Sequence, residues 1–187
     1  MCMINLYKTQ VLSYLEYRTA ALYHATTTTF TPLDNLQNRF VRDTVGATDL
    51  EALFVFNLAP LRTRRDIAML GIVHRAALRK GPSHLWRFFT HAPPLTHNYP
   101  TRRTRHSRHL TDDYRNQRHT DTLLHSACGL VGVYNLLPEY VVHHTTVSEF
   151  QSSLQQLVKE CAATNNDHWR ELLSPRQHLT HHPLTRQ

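Results

Sequence analysis

Pro60 and the Gly81–Pro82 pair bracket the stretch that most restricts the fold. Between them, Leu61 to Lys80 carries Ile67, Met69, Leu70, Val73, Ala76 and Ala77 at spacings that gather on one side of a helix. Proline opens helices readily and a Gly-Pro pair stops them, so the spacing predicts one long helix over 61–80. Arg64, Arg65, Arg75 and Arg79 fall in an adjoining arc of roughly 100°. One face of this helix must pack and its neighbour is basic.

The segments around it read the same way. Met3, Leu6, Tyr7, Val11, Leu12, Tyr14, Leu15 and Leu22 predict an amphipathic helix over 3–24, ended by the threonine run Thr26–Thr29, whose β-branched residues favour extended backbone. A second helix is expected from Thr31 as N-cap and Pro32 as first residue, through Leu33, Leu36, Phe40 and Val41 to Gly46. Thr48 with Glu51 forms a capping box for a short helix holding Leu53, Phe54 and Phe56, which turns at Asn57. Trp86, Phe88 and Phe89 form an aromatic cluster before Pro93 and Pro94.

From Thr101 to Thr120 six Arg face two Asp with almost no apolar residue, a large part of the overall +7 charge. Such a segment buries too little apolar surface to offset its ordering entropy, so a basic, flexible loop is expected near 90–121. Leu123, Leu124, Ala127, Leu130, Val131, Tyr134 and Leu137 then fit a buried helix stopped by Pro138, although Gly129 and Gly132 leave a strand open. Thr146 and Glu149 form a second capping box, opening a helix through Phe150, Leu154, Leu157, Val158 and Cys161 to Asn165–Asn166. A short turn with Trp169, Leu172 and Leu173 follows.

The expected fold is therefore all-α, an irregular bundle of about five to seven helices. Its expected parts are a helical unit over 1–89, the basic loop over 90–121, a second helical unit over 122–174 and a flexible tail over 175–187. With 187 residues, 41% of them hydrophobic, the chain can build one modest core or two small ones, not a large multi-domain enzyme.

Chemistry is sparsely encoded. Fifteen His invite a metal site, yet there is no HExxH, no CxxC and no finger-like Cys/His alternation. Asp112 and Asp113 are the only adjacent carboxylates, and no apolar strand flanks them to hold two metal ions rigidly. No GxSxG elbow or phosphate-cradling glycine loop is present. No cofactor, metal or small-molecule substrate is expected, and no catalytic residue. Three dispersed cysteines suit a reducing compartment, and the absence of a leader or membrane-spanning pattern suits the cytoplasm or nucleus.

The charge points to a polyanion partner. Of 21 basic residues only Lys8, Lys80 and Lys159 are lysines, and guanidinium forks match phosphate oxygens. The same balance also suits an ordinary basic surface. Candidate backbone-binding residues are Arg39, Arg42, Arg64, Arg65, Arg75 and Arg79 on helices, with Arg102, Arg103, Arg105 and Arg108 as a mobile electrostatic arm.

Segment order adds a resemblance. Leu6, Tyr7, Lys8, Val11, Leu12, Glu16 and Tyr17, then Leu33, Leu36, Gln37, Arg39, Phe40 and Arg42, resemble the region after the palm in non-LTR retrotransposon reverse transcriptases of the jockey or LINE kind. Asn57, Leu58, Pro60, Leu61, Arg64, Arg65, Leu70 and His74 continue the match. Tyr134, Asn135, Leu136, Pro138, Val147 and Phe150 end it, with Tyr134 where many relatives have Trp. The resemblance implies a helical thumb and post-thumb region that grips template and primer. The palm with its catalytic aspartates, the fingers, the endonuclease and a Cys/His knuckle have no counterpart in the residues. The expectation is a non-catalytic fragment of an RNA-directed DNA polymerase with sequence-independent RNA or DNA affinity and, in a parent protein, a palm domain as partner. Two other readings stand beside it: a helical interaction module presenting Trp86, Phe88, Phe89 and Tyr134, and a pseudogene product without function.

Overall fold

The computed structural model describes residues 2–17, 19–93, 105–112, 126–164, 167–175 and 182–185. Its architecture is all-α. Helix α1 (Cys2–Leu6) widens into a π-helical stretch at Tyr7–Leu12 and resumes as α2 (Ser13–Glu16), followed by α3 (Thr19–Leu22). Within the widened turns the Thr9 hydroxyl donates to the Asn5 carbonyl at 2.9 Å and Ser13 to that of Thr9 at 2.6 Å. Such back-bonds compete for the carbonyls of the regular ladder. Helix α4 (Thr27–Arg39) widens likewise over Phe40–Val45, and the first residues of the two π stretches, Tyr7 and Phe40, stack at 4.0 Å.

The start of α4 departs from the sequence expectation. The threonine run is helical, Thr26 is the N-cap, and Pro32 lies inside the helix. Phe30 is buried beneath the Arg65 guanidinium, 4.2 Å from the ring centroid, and this tertiary contact overrides the extended preference of threonine. Pro32 then lacks a ladder N–H and crowds the Thr28 carbonyl. Pro32→Ala is therefore expected to raise stability by about 1–3 kcal/mol. An unchanged or lower urea midpoint would instead place Pro32 at the first helical position, where it does no harm.

Local signals elsewhere hold. Gly46 closes the second π stretch in left-handed conformation, Thr48 and Glu51 form both bonds of the capping box on α5 (Asp49–Phe56), and Asn57 turns left-handed after it. Pro60 opens α6 (Leu61–Ala77), shorter than expected. It ends because Arg79, not Gly81, takes the left-handed position at φ 54°. The Arg79 N–H reaches the Ala76 carbonyl and the Lys80 N–H that of Arg75, the paired bonds of a Schellman cap.

Helix α6 is the central strut. It packs along α10 (Val147–Ala163) and also meets α3, α4, the short α7 (Ser83–Trp86) and α8 (Leu130–Tyr134). Gly71 lets α6 and α10 approach, since a Cβ there would meet the Gln151 amide and a Val147 methyl. At α10 the Thr146 hydroxyl accepts from the Glu149 N–H and donates to its carboxylate. The helix expected from Thr122 is only α8 within the described residues, preceded by a turn at 126–129. Pro138 caps the one-turn α9 (Glu139–Val142).

One core runs from Tyr23 to Leu184 and includes Leu70, Val73, Leu130, Tyr134, Val141, Phe150, Leu154 and Leu172. Both expected helical units, 1–89 and 122–174, contribute to it. A smaller cluster joins Tyr7, Leu12, Val41, Ala52, Leu58 and Leu61 beneath the N-terminal helices. Arg170 pairs with Asp49 at 2.8 Å and Arg62 with Glu171 at 3.2 Å, fastening the 3₁₀ turn Asp167–Glu171 to α5 and α6.

Two stretches expected to be flexible are in part packed. Within 90–121, His91 and Leu110 form an antiparallel bridge, and Leu110 is 1% exposed. The Asn135 side chain accepts from the Leu110 N–H at 2.9 Å and donates to its C=O at 2.8 Å, acting as a one-residue strand partner. Within 175–187, His182 and Leu184 are buried, with a hydrogen bond of 3.1 Å between His182 Nε2 and the Ser174 carbonyl. Leu110 docks because the Asn135 side chain satisfies its backbone groups, whereas the tail docks through buried Pro183 and Leu184 and the His182 side chain. The remainder of both lies outside the described residues.

Candidate nucleic-acid interface

The ten arginines named from sequence do different things. Arg64 pairs with Glu16, its Nη2 at 3.1 Å from Oε2. Arg65 is buried, with Nη2 at 2.8 and 2.9 Å from the two oxygens of Asp34. These two guanidiniums are turned inward and neutralised. Arg39, the last residue of α4, is exposed, and Arg42 is exposed beside Asp43, 2.7 Å from Nε to Oδ1. Arg102 and Arg103 lie outside the described residues.

The remaining four sit at one end of α6 and on the segment docked there. Arg75 and Arg79 project from successive turns and are exposed, as is Lys80, whose Nζ donates to the Thr145 carbonyl at 2.6 Å. Arg105 is exposed. Arg108 is half-buried, and its Nη1 donates to the carbonyls of Val142, at the end of α9, and of His144, the latter at 2.6 Å. The Val142 carbonyl lies in the last turn, where the helix leaves its carbonyls without ladder partners, so a guanidinium there is held by hydrogen bonds and favoured by the helix end. The arm predicted to be mobile is thus anchored at Arg108.

Nearby imidazoles are held down chiefly by burial, and the cations add to it. Desolvation, then Arg79 and Arg108, holds His91 below the ordinary imidazole range. Burial, then His106 and Arg105, pushes His109 down to about 4. Burial also pushes His74 down to about 4; the bond to the His144 carbonyl opposes this, and Arg108, His144 and Lys80 reinforce it. Lys80 and Arg108 sit on the adjacent carbonyls of Thr145 and His144, and with the exposed Arg79 and Arg105 they make up the candidate electropositive face. Among the described residues, carboxylates bordering it include Glu139, which accepts from the Ser107 N–H at 2.7 Å and hydroxyl at 2.6 Å, and Glu149, 4.0 Å from His144.

Sequence reasoning missed Lys80 and His91. No motif marks either one: Lys80 is placed by its bond to the Thr145 carbonyl, and His91 by the bridge to Leu110, which Asn135 holds. The aromatic surface expected of an interaction module also needs correcting. Tyr134 has no exposed surface and Phe89 is 6% exposed, both packed in the core, and Trp86 is half-buried, leaving Phe88 exposed. The large exposed apolar side chains include Met3, Leu6, Tyr14 and Tyr17 on the N-terminal helices.

Among the described residues no three His, Cys, Asp or Glu side chains are arranged to hold a metal ion, and no helix is long and apolar enough to cross a membrane. Compared with known proteins, the chain matches no family model, no curated protein and no solved structure.

Proposed function

We propose that this chain is a non-catalytic helical element that grips nucleic-acid backbones without reading sequence, in the manner implied by its resemblance to the thumb and post-thumb region of a non-LTR retrotransposon reverse transcriptase. In this reading it works in the cytoplasm or nucleus, and a polymerase palm would be its partner in a parent protein. The observation that carries the reading is the convergence of Arg79, Lys80, Arg105 and Arg108 at the end of α6, with Arg75 one turn away. Cationic side chains in that arrangement suit a repeating phosphate backbone, which positions a protein without reading bases.

Binding to a fluorescent single-stranded oligonucleotide is expected to weaken linearly with log salt. Four engaged phosphates give a slope of about −3. A flat response would sink the reading. Arg79→Gly separates binding from folding: glycine relieves the left-handed backbone and raises stability by about 0.5–1 kcal/mol, while loss of the guanidinium lowers affinity. Stability and affinity falling together would mean that Arg79 serves the fold alone.

A second reading, a helical interaction module, draws on the exposed Met3, Leu6, Tyr14 and Tyr17, a run of apolar surface that a partner would cover. Light scattering on the purified chain distinguishes the two. A clean monomer that binds no hydrophobic dye counts against the module.

A further inference from the structure

The N-terminal helix, from α1 to α2, turns its charges inward. Lys8 donates to the Phe56 carbonyl and Glu16 pairs with Arg64, and both side chains are half-buried. The exposed residues from Cys2 to Tyr17 carry no charge at all, in a chain whose charged share is 19% and whose net charge is +7. A helix face that meets only water ordinarily carries charged residues. Even the hydroxyls on this face are occupied, since Thr9 and Ser13 donate to carbonyls one turn back.

Along that face Leu6, Gln10, Tyr14 and Tyr17 follow one another at steps of four, four and three, the spacing of a single helix stripe, and Met3 extends it. Tyr14 is 82% exposed and Tyr17 81%, and Met3 and Leu6 are each more than half exposed. With an aromatic residue offering about 200 Å², the exposed parts of this stripe come to about 600 Å² on each chain. Two such faces pressed together cover about 1,200 Å², which is where stable interfaces begin.

The order of the residues selects the occupant. Gln10 is the midpoint of the stripe: Leu6 lies four residues before it and Tyr14 four after, Met3 seven before and Tyr17 seven after. Turned end for end, the stripe therefore complements itself, as a two-fold interface requires. The slender Met3 and Leu6 meet the rings of the partner's Tyr17 and the partner's Tyr14, and thioether and aliphatic groups pack well on aromatic rings. Gln10 meets the partner's Gln10 on the axis, where one amide donates and the other accepts. Two chains of +7 repel each other, and an uncharged face is where they can approach.

We propose that the stripe from Met3 to Tyr17 is the interface of a symmetric homodimer in which the two N-terminal helices pair antiparallel about Gln10. The proposal rests on the second reading above, whose apolar surface it assigns to a second copy of this chain, and the backbone-gripping reading does not depend on it.

Sedimentation equilibrium of the full chain should show monomer giving way to dimer across the micromolar range. Tyr14→Glu should weaken association about tenfold or more, while the urea midpoint of the dilute monomer stays unchanged because the ring faces solvent there. Val55→Glu, at a 70% exposed apolar residue on α5, should leave association as it is. Leu6→Lys should also weaken the dimer, and combining it with Tyr14→Glu in one chain should recover part of the loss. In the antiparallel pairing each lysine then faces a glutamate of the other copy, whereas within one chain the two positions are two turns apart. A monomer at every concentration overturns the proposal; hydrophobic-dye binding by that monomer would leave the module reading standing, and its absence would end that reading too. A dimer weakened by Val55→Glu and not by Tyr14→Glu overturns the choice of face. A double variant weaker than either single one overturns the antiparallel register.

Discussion

Tyr134→Ala is expected to remove about 3–5 kcal/mol of stability, enough to leave little cooperative folding in a domain of ordinary stability. Tyr134 has no exposed surface, and three rings surround its own: His106 edge-on with centroids 5.4 Å apart, and His74 and Phe150 each at 6.0 Å. Its hydroxyl is 2.9 Å from His74 Nδ1, and its carbonyl 3.1 Å from His106 Nε2. Truncation opens a cavity at the meeting point of α6, α8, α10 and the docked 105–112 segment, and orphans a buried imidazole nitrogen. Tyr134→Phe separates the two losses, since it fills the space and removes only the hydroxyl; about 1–3 kcal/mol is expected for the unpaired nitrogen. Urea midpoints for the two variants check this. If both variants unfold near the wild-type midpoint, the ring is not the keystone its burial implies.

Tyr134 also shows where sequence reasoning runs out. Its place in the segment from Tyr134 to Phe150 was legible, and so were the helix stop at Pro138 and the start at Thr146, because caps and stops act over three or four residues. The same locality explains Gly46, the Thr48–Glu51 box, Asn57 and Pro60. Whether Tyr134 faces a partner or the core is decided by α6 and α10, dozens of residues away, and no local pattern carries that. The helical threonine run follows from Phe30 meeting Arg65. Packing at Leu110 and His182 follows from receptor groups at Asn135 and Ser174. Arg64 and Arg65 fall in the same basic arc as Arg75 and Arg79, and only tertiary structure shows that Glu16 and Asp34 neutralise the first pair. The candidate site was thus half legible: its residue type could be read, its membership could not.

Acid should destabilise this chain well before its carboxylates protonate, and His74 is the main reason. His74 has no exposed surface, and its ring stacks on Phe150 with centroids 4.0 Å apart. A carbonyl only accepts, so the 3.0 Å contact with the His144 C=O places the proton on Nε2 and leaves Nδ1 to accept from the Tyr134 hydroxyl. A second proton would face that hydroxyl hydrogen, in an apolar surround with Arg108, Lys80 and His144 as the nearest charges or potential charges. Folding therefore lowers the imidazole from 6.5 to about 4. The unfolded chain binds the proton more tightly, so this stabilisation is fully present above pH 6.5 and is lost as the pH falls toward 4. The full loss is about 3 kcal/mol for this one group. His109, also pushed down to about 4, steepens the fall in the same window. Urea unfolding at pH 8, 6, 5 and 4 should show a midpoint that drops steadily below pH 6.5. His74→Phe should lower the midpoint at pH 8, where it strands the Tyr134 hydroxyl and leaves the His144 carbonyl with Arg108 as donor, and should shallow the drop by about one proton. Parallel pH curves for the two proteins would show that His74 already carries its charge in the fold, and would remove the imidazole from the account of this core.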